Sequence, residues 1–221
     1  MFKNDSLSIF IRLCLSVVGT SIIALGIVFF RLSSLGIDPA TAADIGISNT
    51  FNWYLGNYQL IFNAILFLII CIFDRSQFGI GTLINMSLPG YIVGYLTPIL
   101  SRIIFHTFSK SSILEIIILF VFGMVLFSLG ISLYTSVNLG VSPYDAVALL
   151  FGKKGWISYR LTRSMQDLLF FTLALVFGGP LGIGTFIIAF TTGYFVQSWR
   201  FFFKNILIKY WLVPIQKHNS S

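Results

Sequence analysis

The order of apolar and polar positions divides the chain into long apolar runs separated by short polar stretches. Six runs read as helices made for lipid: Leu13–Phe30, Tyr58–Phe73, Gly81–Leu100, Leu114–Tyr134, Met165–Phe177 and Ile183–Phe203. A bilayer-crossing helix needs roughly 20 apolar residues. The second and fifth runs are shorter, so they either extend back into the polar residues ahead of them or lie inside the bundle, away from lipid. Two stretches interrupt the pattern. "LGIDPATAA" begins at Leu35, and "LGVSPYDAV" begins at Leu139, 104 residues later.

Each interruption has the chemistry of a helix stop followed by a helix start. In the second, Gly140 allows a sharp turn, Ser142 fits the N-cap, Pro143 fits N1 and Asp145 fits N3 beside the positive end of the helix dipole. The helix it starts is expected to run to about Phe151. In the first, Asp38 is the cap, Pro39 is N1 and Thr41 is N3, with a helix to about Ile47. Both helices are apolar and too short to span. They read as re-entrant or interfacial half-helices, and irregular backbone at membrane depth is tolerated only when buried in protein or lining a cavity.

The recurrence extends well beyond these loops. Gly19, Gly26, Gly36 and Pro39 align with Gly123, Gly130, Gly140 and Pro143 at an offset of 104. "GIGT" at Gly79–Thr82 recurs at Gly182–Thr185, and Gly90–Tyr91 recurs at Gly193–Tyr194, both at 103. Glycine, proline and threonine set backbone geometry, so the chain reads as two copies of one unit. Three spans per unit is an odd number, which makes the second copy enter the membrane from the opposite face. The expected fold is an all-α, polytopic membrane protein. It has six transmembrane helices arranged as two inverted three-helix repeats, each with a short broken or re-entrant helix after its first span. Residues 1–221 form a single membrane domain, with repeat one at about 13–105 and repeat two at about 114–205. Many secondary transporters are built this way, with the solute site at the repeat interface near the midplane.

Composition agrees with a lipid environment: 57% of residues are hydrophobic and 10% are charged, against about a quarter charged in soluble domains. The net charge of +7 is mostly a topology signal. Eleven of the 14 Lys and Arg residues fall at the N-terminus, after spans 2 and 4, or at the C-terminus: Lys3, Arg12, Arg75, Lys153, Lys154, Arg160, Arg163, Arg200, Lys204, Lys209 and Lys217. Arg31, Arg102 and Lys110 fall on the other side. The positive-inside rule then places both termini in the cytoplasm, so the charge gives no reason to expect nucleic acid as a partner. No small-x-small cleavage site follows the first span, so it is expected to be retained. The C-terminal "KHNSS" reads as a frayed tail. Cys14 and Cys71 read as small core residues with no disulfide or metal spacing.

Polar residues inside the spans are the candidate chemistry. Arg163 and Asp167 are four apart and share a helix face. If that helix starts near Ser158, Asp167 lies about 13 Å along it, close to the middle of a hydrocarbon core about 30 Å thick. Ionisable groups at that depth are costly and usually functional. Gln59 and Asn63 stand at the equivalent positions of the first repeat, which suggests a site built asymmetrically by the two halves. The candidate solute-binding set is Asp38, Thr41, Gln59, Asn63, Thr82, Asn85, Ser142, Asp145, Arg163, Gln166, Asp167 and Thr185. For Thr82 and Thr185, hydroxyl bonding to their own helix is an equal alternative. Gly90 and Gly94 form a GxxxG pair, and Gly19 with Gly26 a seam, both suited to helix packing. Pro89 is expected to kink its span.

"LGVSPYD", the R-x-x-Q-D run from Arg163 to Asp167, and "GGPLGIGT" from Gly178 to Thr185, echoed by "LGIDP" and "GIGTLIN" in the first half, resemble the YczE/YyaS/YitT family of bacterial membrane proteins. Members usually show Trp where Tyr144 stands and Ser where Asp38 stands. The resemblance implies a bacterial plasma-membrane protein of poorly defined activity and names no substrate.

Three classes of function compete. A secondary transporter or exporter of a small polar or amphipathic solute fits the paired breaks and the Arg163–Asp167 pair, with Asp145 or Asp167 suited to exchanging a proton. A non-transporting accessory protein, or the substrate-binding subunit of a larger importer, would use the basic cytoplasmic residues or a partner ATPase instead. An intramembrane enzyme lacks its chemistry: His106 and His218 lie outside the spans, and no Ser–His pair or metal cluster is available. No cofactor or metal is expected. The expected partners are the lipid bilayer and a small solute, and self-association into a homo-oligomer stays open.

Overall fold

The computed structural model describes residues 2–107 and 112–207. Lys110, Lys209, Lys217, His218 and the C-terminal tail lie outside the described residues. Among the described residues the chain is helical, with no strand. Its helices are α1 (Phe2–Ser33), α2 (Pro39–Thr50), α3 (Leu55–Phe73), α4 (Ile80–Thr107), α5 (Ile113–Ser136), α6 (Pro143–Lys154), α7 (Tyr159–Val176) and α8 (Ile183–Leu207), with one 3-10 turn at Arg75–Gln77. The short helices run slightly beyond their expected ends, and α2 and α6 are offset by 104 at both boundaries. The second and fifth runs do extend back into polar sequence: α3 begins at Leu55 and α7 at Tyr159, the latter capped by Ser158.

Among the described residues four helices are long and apolar enough to cross a membrane: Ile9–Ser33, Leu55–Phe73, Ile80–Ile104 and Ile113–Ser136. The helices α7 and α8 fall short on composition rather than on length. The first carries Arg160, Arg163 and Asp167, and the second carries Gln197, Ser198 and Arg200 near its end. Both prolines of α4, Pro89 and Pro98, lie within the helix. Cys14 is exposed on α1 rather than in the core. A membrane helix stays apolar on its outer side, so apolar sequence does not mark which side is packed.

At the centre α1 and α5 pack against each other, and glycines let their backbones touch. A Cβ on Gly26 would fall 2.7 Å from Phe127 N, and one on Gly130 would fall 2.6 Å from Ile23 N. Gly19 meets Gly130 and Gly26 meets Gly123, an order that makes the two helices antiparallel. Around this crossing Ile27, Phe30, Phe120, Met124 and Phe127 form the core. On either side α4 packs along α1 and α8 along α5, while α2 crosses to α7 and α3 to α6. The short helix α2 is buried on most of its surface, and its alanines and glycine make that close burial feasible.

The two breaks adopt one backbone conformation. Ser34 and Asn138 have φ of 56° and 52°, and Gly36 and Gly140 both have φ of 112°. Each loop then docks on the "GIGT" turn of the other half. Gly184 N donates to Leu35 O at 2.7 Å and Gly81 N donates to Leu139 O at 2.9 Å. Ile37 N donates to Pro180 O at 3.3 Å, and Val141 N donates to Gln77 O at 3.2 Å. These hydrogen bonds satisfy backbone groups that a broken helix would leave orphaned.

The two halves differ where α3 meets α4. There Gly56, Gly90 and Gly94 allow close contact: a Cβ on Gly90 would lie 2.8 Å from Gly56 Cα, and one on Gly94 would lie 2.8 Å from the Tyr54 hydroxyl. The counterparts of Gly56 and Gly94 are Arg160 and Gln197, so the seam does not recur between α7 and α8, where Phe171 meets Phe186 at 5.6 Å between ring centroids. Gly193, the counterpart of Gly90, has nothing within 4 Å of where its Cβ would sit. Gly193→Ala is therefore expected to raise stability by up to about 1 kcal/mol through helix propensity. Gly90→Ala should lower it by about 1–3 kcal/mol through overpacking. Thermal unfolding of the two variants in the same detergent measures the contrast.

Candidate functional site

The site is assembled from the starts of α2 and α6 and the facing sides of α3 and α7. Local sequence fixes the two starts. Asp38 Oδ1 accepts from Thr41 N at 3.0 Å, and Ser142 Oγ accepts from Asp145 N at 3.1 Å. Each cap is followed by a proline at the first helical position, where its missing N–H costs nothing. The Ser142 hydroxyl also donates to Asp145 Oδ2 at 2.8 Å, so the cap holds the carboxylate in place.

Arg163 is the hub. Its Nη1 pairs with Asp145 Oδ1, and its Nε lies 3.5 Å from Asp167 Oδ1. Its guanidinium carbon sits 4.5 Å from the centre of the Tyr144 ring. The Tyr144 hydroxyl donates to Asp167 Oδ1 at 2.9 Å, and Gln166 Nε2 donates to the Tyr144 carbonyl at 3.0 Å. The start of α6 is thus tied to Asp167, nine residues past the Ser158 cap. The end of α6 lies elsewhere: Lys153 Nζ donates to Asp74 Oδ2 at 2.8 Å and to Ser76 Oγ at 3.0 Å in the α3–α4 loop. The Lys153 ammonium, with further donors from Ser76 and Gln77, holds the Asp74 carboxyl well below the usual carboxylate range. α6 therefore runs from that loop inward to the Arg163 hub. Asp38, at the start of α2, is close enough to Arg163 and Asp167 to feel both charges. Both short helices pack against α7.

Asp44 was not among the expected site residues. It is 7% exposed, and its Oδ2 accepts from Gln59 Nε2 at 2.7 Å. Its counterpart in the second half is Ala148, so a search for duplicated positions passes over it. The signal that marks it is the lone acid in an otherwise apolar run, "ATAADIGI". Gln59 thus does in α3 what Arg163, its counterpart, does in α7: it binds a carboxylate of the short helix ahead of it.

The other expected residues lie outside this cluster or at its edge. Thr41 is buried and supplies the N–H that caps α2. Asn63 Nδ2 turns back to the Gln59 carbonyl at 2.9 Å. Thr82 and Thr185 are buried and accept from Gly79 N and Gly182 N, each at 3.2 Å, closing the two "GIGT" turns. Asn85, half-buried on α4, makes no side-chain hydrogen bond among the described residues. A row of rings lines the cluster: Tyr58 stacks on Phe62 at 6.0 Å, Phe62 meets Phe170 at 5.8 Å, and Phe170 meets Tyr144 at 5.1 Å. The whole is a set of four carboxylates, one guanidinium and two amides against an aromatic wall. Such a set suits binding a polar group or exchanging a proton.

Comparison with known proteins follows the same stretch of chain. The family described as "Family of unknown function (DUF6198)" matches residues 10–201. The uncharacterized membrane protein YczE of Bacillus subtilis is 31% identical over 177 residues, 79% of each chain. The uncharacterized protein YyaS of the same organism is 28% identical over 168 residues, covering 76% of this chain and 82% of YyaS. An uncharacterized protein of Haemophilus influenzae is 26% identical over 197 residues, 89% of this chain and 85% of its own length. No solved structure matches the chain.

Proposed function

This chain belongs to the DUF6198 family of membrane proteins, and from that premise we propose that it is a plasma-membrane secondary transporter or exporter of a small polar or amphipathic solute. In this reading α1, α3, α4, α5, α7 and α8 are six spans, α2 and α6 are re-entrant half-helices, and the two halves are inverted repeats. The antiparallel α1–α5 pair and the reciprocal docking of each loop on the opposite "GIGT" turn support the inversion. Arg163 and Asp167 of α7 pair with each other and with the start of α6, which lets a helix of mixed composition cross the bilayer within the bundle. Both termini are cytoplasmic, as the distribution of Lys and Arg argues.

One observation carries the proposal: both short helices pack against α7, where Arg163 pairs with Asp145 of α6 and with Asp167. That arrangement matches the discontinuous helices that form solute sites at repeat interfaces. Electrical recording from reconstituted vesicles, against a panel of small amines, carboxylates and zwitterions, is the test. A saturable solute-driven current is expected, with loss of about 100-fold or more in Asp167→Asn, because a midplane ionisable group is removed. Unchanged current in Asp167→Asn would remove that residue from the mechanism. Silence of the wild type across the panel, together with recovery of one stoichiometric partner from the membrane, would favour an accessory role.

A further inference from the structure

The polar groups of the cluster are out of balance in a particular direction. Asp38 Oδ2, Asp44 Oδ1 and Gln166 Oε1 are all buried and without a hydrogen-bond partner. Every one of them is an acceptor. Buried polar groups are normally satisfied, and a surplus of acceptors calls for something that brings donors. Charge is skewed the same way. Arg163 is already matched by Asp145 and Asp167, and neither Asp38 nor Asp44 has a salt bridge among the described residues. The most buried of the four carboxylates, Asp44, has only the neutral Gln59 amide as a partner among the described residues. A buried charge of this kind is expensive unless a cation joins it or the group takes up a proton.

The surroundings narrow the kind of cation. Tyr58 is near enough to Asp44 to feel its charge, and it heads the aromatic row that continues through Phe62 and Phe170 to Tyr144. Aromatic faces attract cations and also bury carbon skeletons. No group of three or more metal-binding side chains occurs among the described residues. We propose that the cluster takes a small organic cation, a primary ammonium or a guanidinium, anchored on Asp44 with its carbon skeleton against the Tyr58–Phe62–Phe170 rings. This rests on reading the cluster as the solute site, and it makes the solute a cation rather than an anion.

Binding can be tested apart from transport. Isothermal titration of the full chain in detergent with n-butylammonium and n-butylguanidinium should give saturable binding, while n-butyrate and neutral N-butylacetamide should give none. Asp44→Asn should weaken the cations by about tenfold or more, the worth of one charged hydrogen bond. Asp74→Asn, in the α3–α4 loop, should leave them unchanged. In the wild type, butylammonium should also protect Asp44 from a hydrophobic carbodiimide, read by mass spectrometry, which keeps the test decisive if Asp44→Asn does not fold. Absence of saturable binding, equal binding of butyrate, equal protection by sodium chloride, or full affinity in Asp44→Asn overturns the proposal. Cation binding with neither current nor uptake of the cation into vesicles would leave this site standing and remove transport; current carried by an anion with no amine binding would do the reverse.

Discussion

Arg163→Met should be among the most damaging single changes in this protein, lowering stability by about 2–3 kcal/mol and abolishing the proposed solute movement. Removing one partner of a fully buried ion pair costs about 3–5 kcal/mol, because the other charge is left stranded. Here the Arg163 side chain is 35% exposed and those of Asp145 and Asp167 are 38% and 36% exposed. Solvent screening therefore puts the cost below that range. Against this, one guanidinium serves two carboxylates and the Tyr144 ring, so all three lose their partner together. Arg163→Lys should not restore function, since a single ammonium cannot reach Asp145 through one nitrogen and Asp167 through another as the planar fork does. The decisive measurement is a double-mutant cycle by thermal unfolding. Asp145→Asn combined with Arg163→Met should be less damaging than the sum of the two, because neutralising Asp145 removes one stranded charge. Additive losses would mean that the pair is not coupled.

Much of this was legible in the sequence, for physical reasons that differ from residue to residue. Helix starts at Asp38–Pro39 and Ser142–Pro143 were legible because capping is local chemistry: a side-chain acceptor and a missing N–H within two residues. The Arg163–Asp167 face was legible because helical spacing fixes which residues meet. The offset of 104 was legible because glycine and proline keep their places where backbone geometry is fixed, as the matching φ values of Gly36 and Gly140 show. Contacts between distant segments were not legible. Nothing in "GIGT" says that its glycines make room for a carbonyl from the opposite half, which is why Thr82 and Thr185 looked like candidate ligands. Asp44 was missed for a related reason. Weighing residues by symmetry between the halves selects what is duplicated, and Asp44 faces Ala148 across the repeat. Lipid hides a further layer: exposed α5 residues such as Ile117 and Val121 are as apolar as the core, so periodicity there gives little sign of which face packs.

Gly36→Ala and Gly140→Ala should each destabilise the protein heavily, by roughly 3–5 kcal/mol, and by nearly equal amounts. Two costs combine. A φ of 112° is one that residues with a side chain rarely adopt, and holding one there costs about 1–3 kcal/mol. The added methyl also has no room. On Gly36 it would lie 2.5 Å from Thr185 Oγ1 and 2.7 Å from Gly182 N; on Gly140 it would lie 2.6 Å from Gly79 N and against Thr82 Oγ1. Overpacking of that kind adds about 1–3 kcal/mol. Trimming the threonine tests how the costs divide: Thr185→Ala in the Gly36→Ala background should recover only a part, since the backbone nitrogen and the strained φ remain. With total stabilities of about 5–15 kcal/mol, either change alone removes a large share, and the two together remove most or all of it. Equality is the sharper half of this prediction. The two glycines share the same strained φ, so equal losses beyond that common cost point to reciprocal docking of each half on the other. A large loss at Gly140 with tolerance at Gly36 would mean that only one of the loops is held in this way. The proposed inverted repeat would then lose its physical basis.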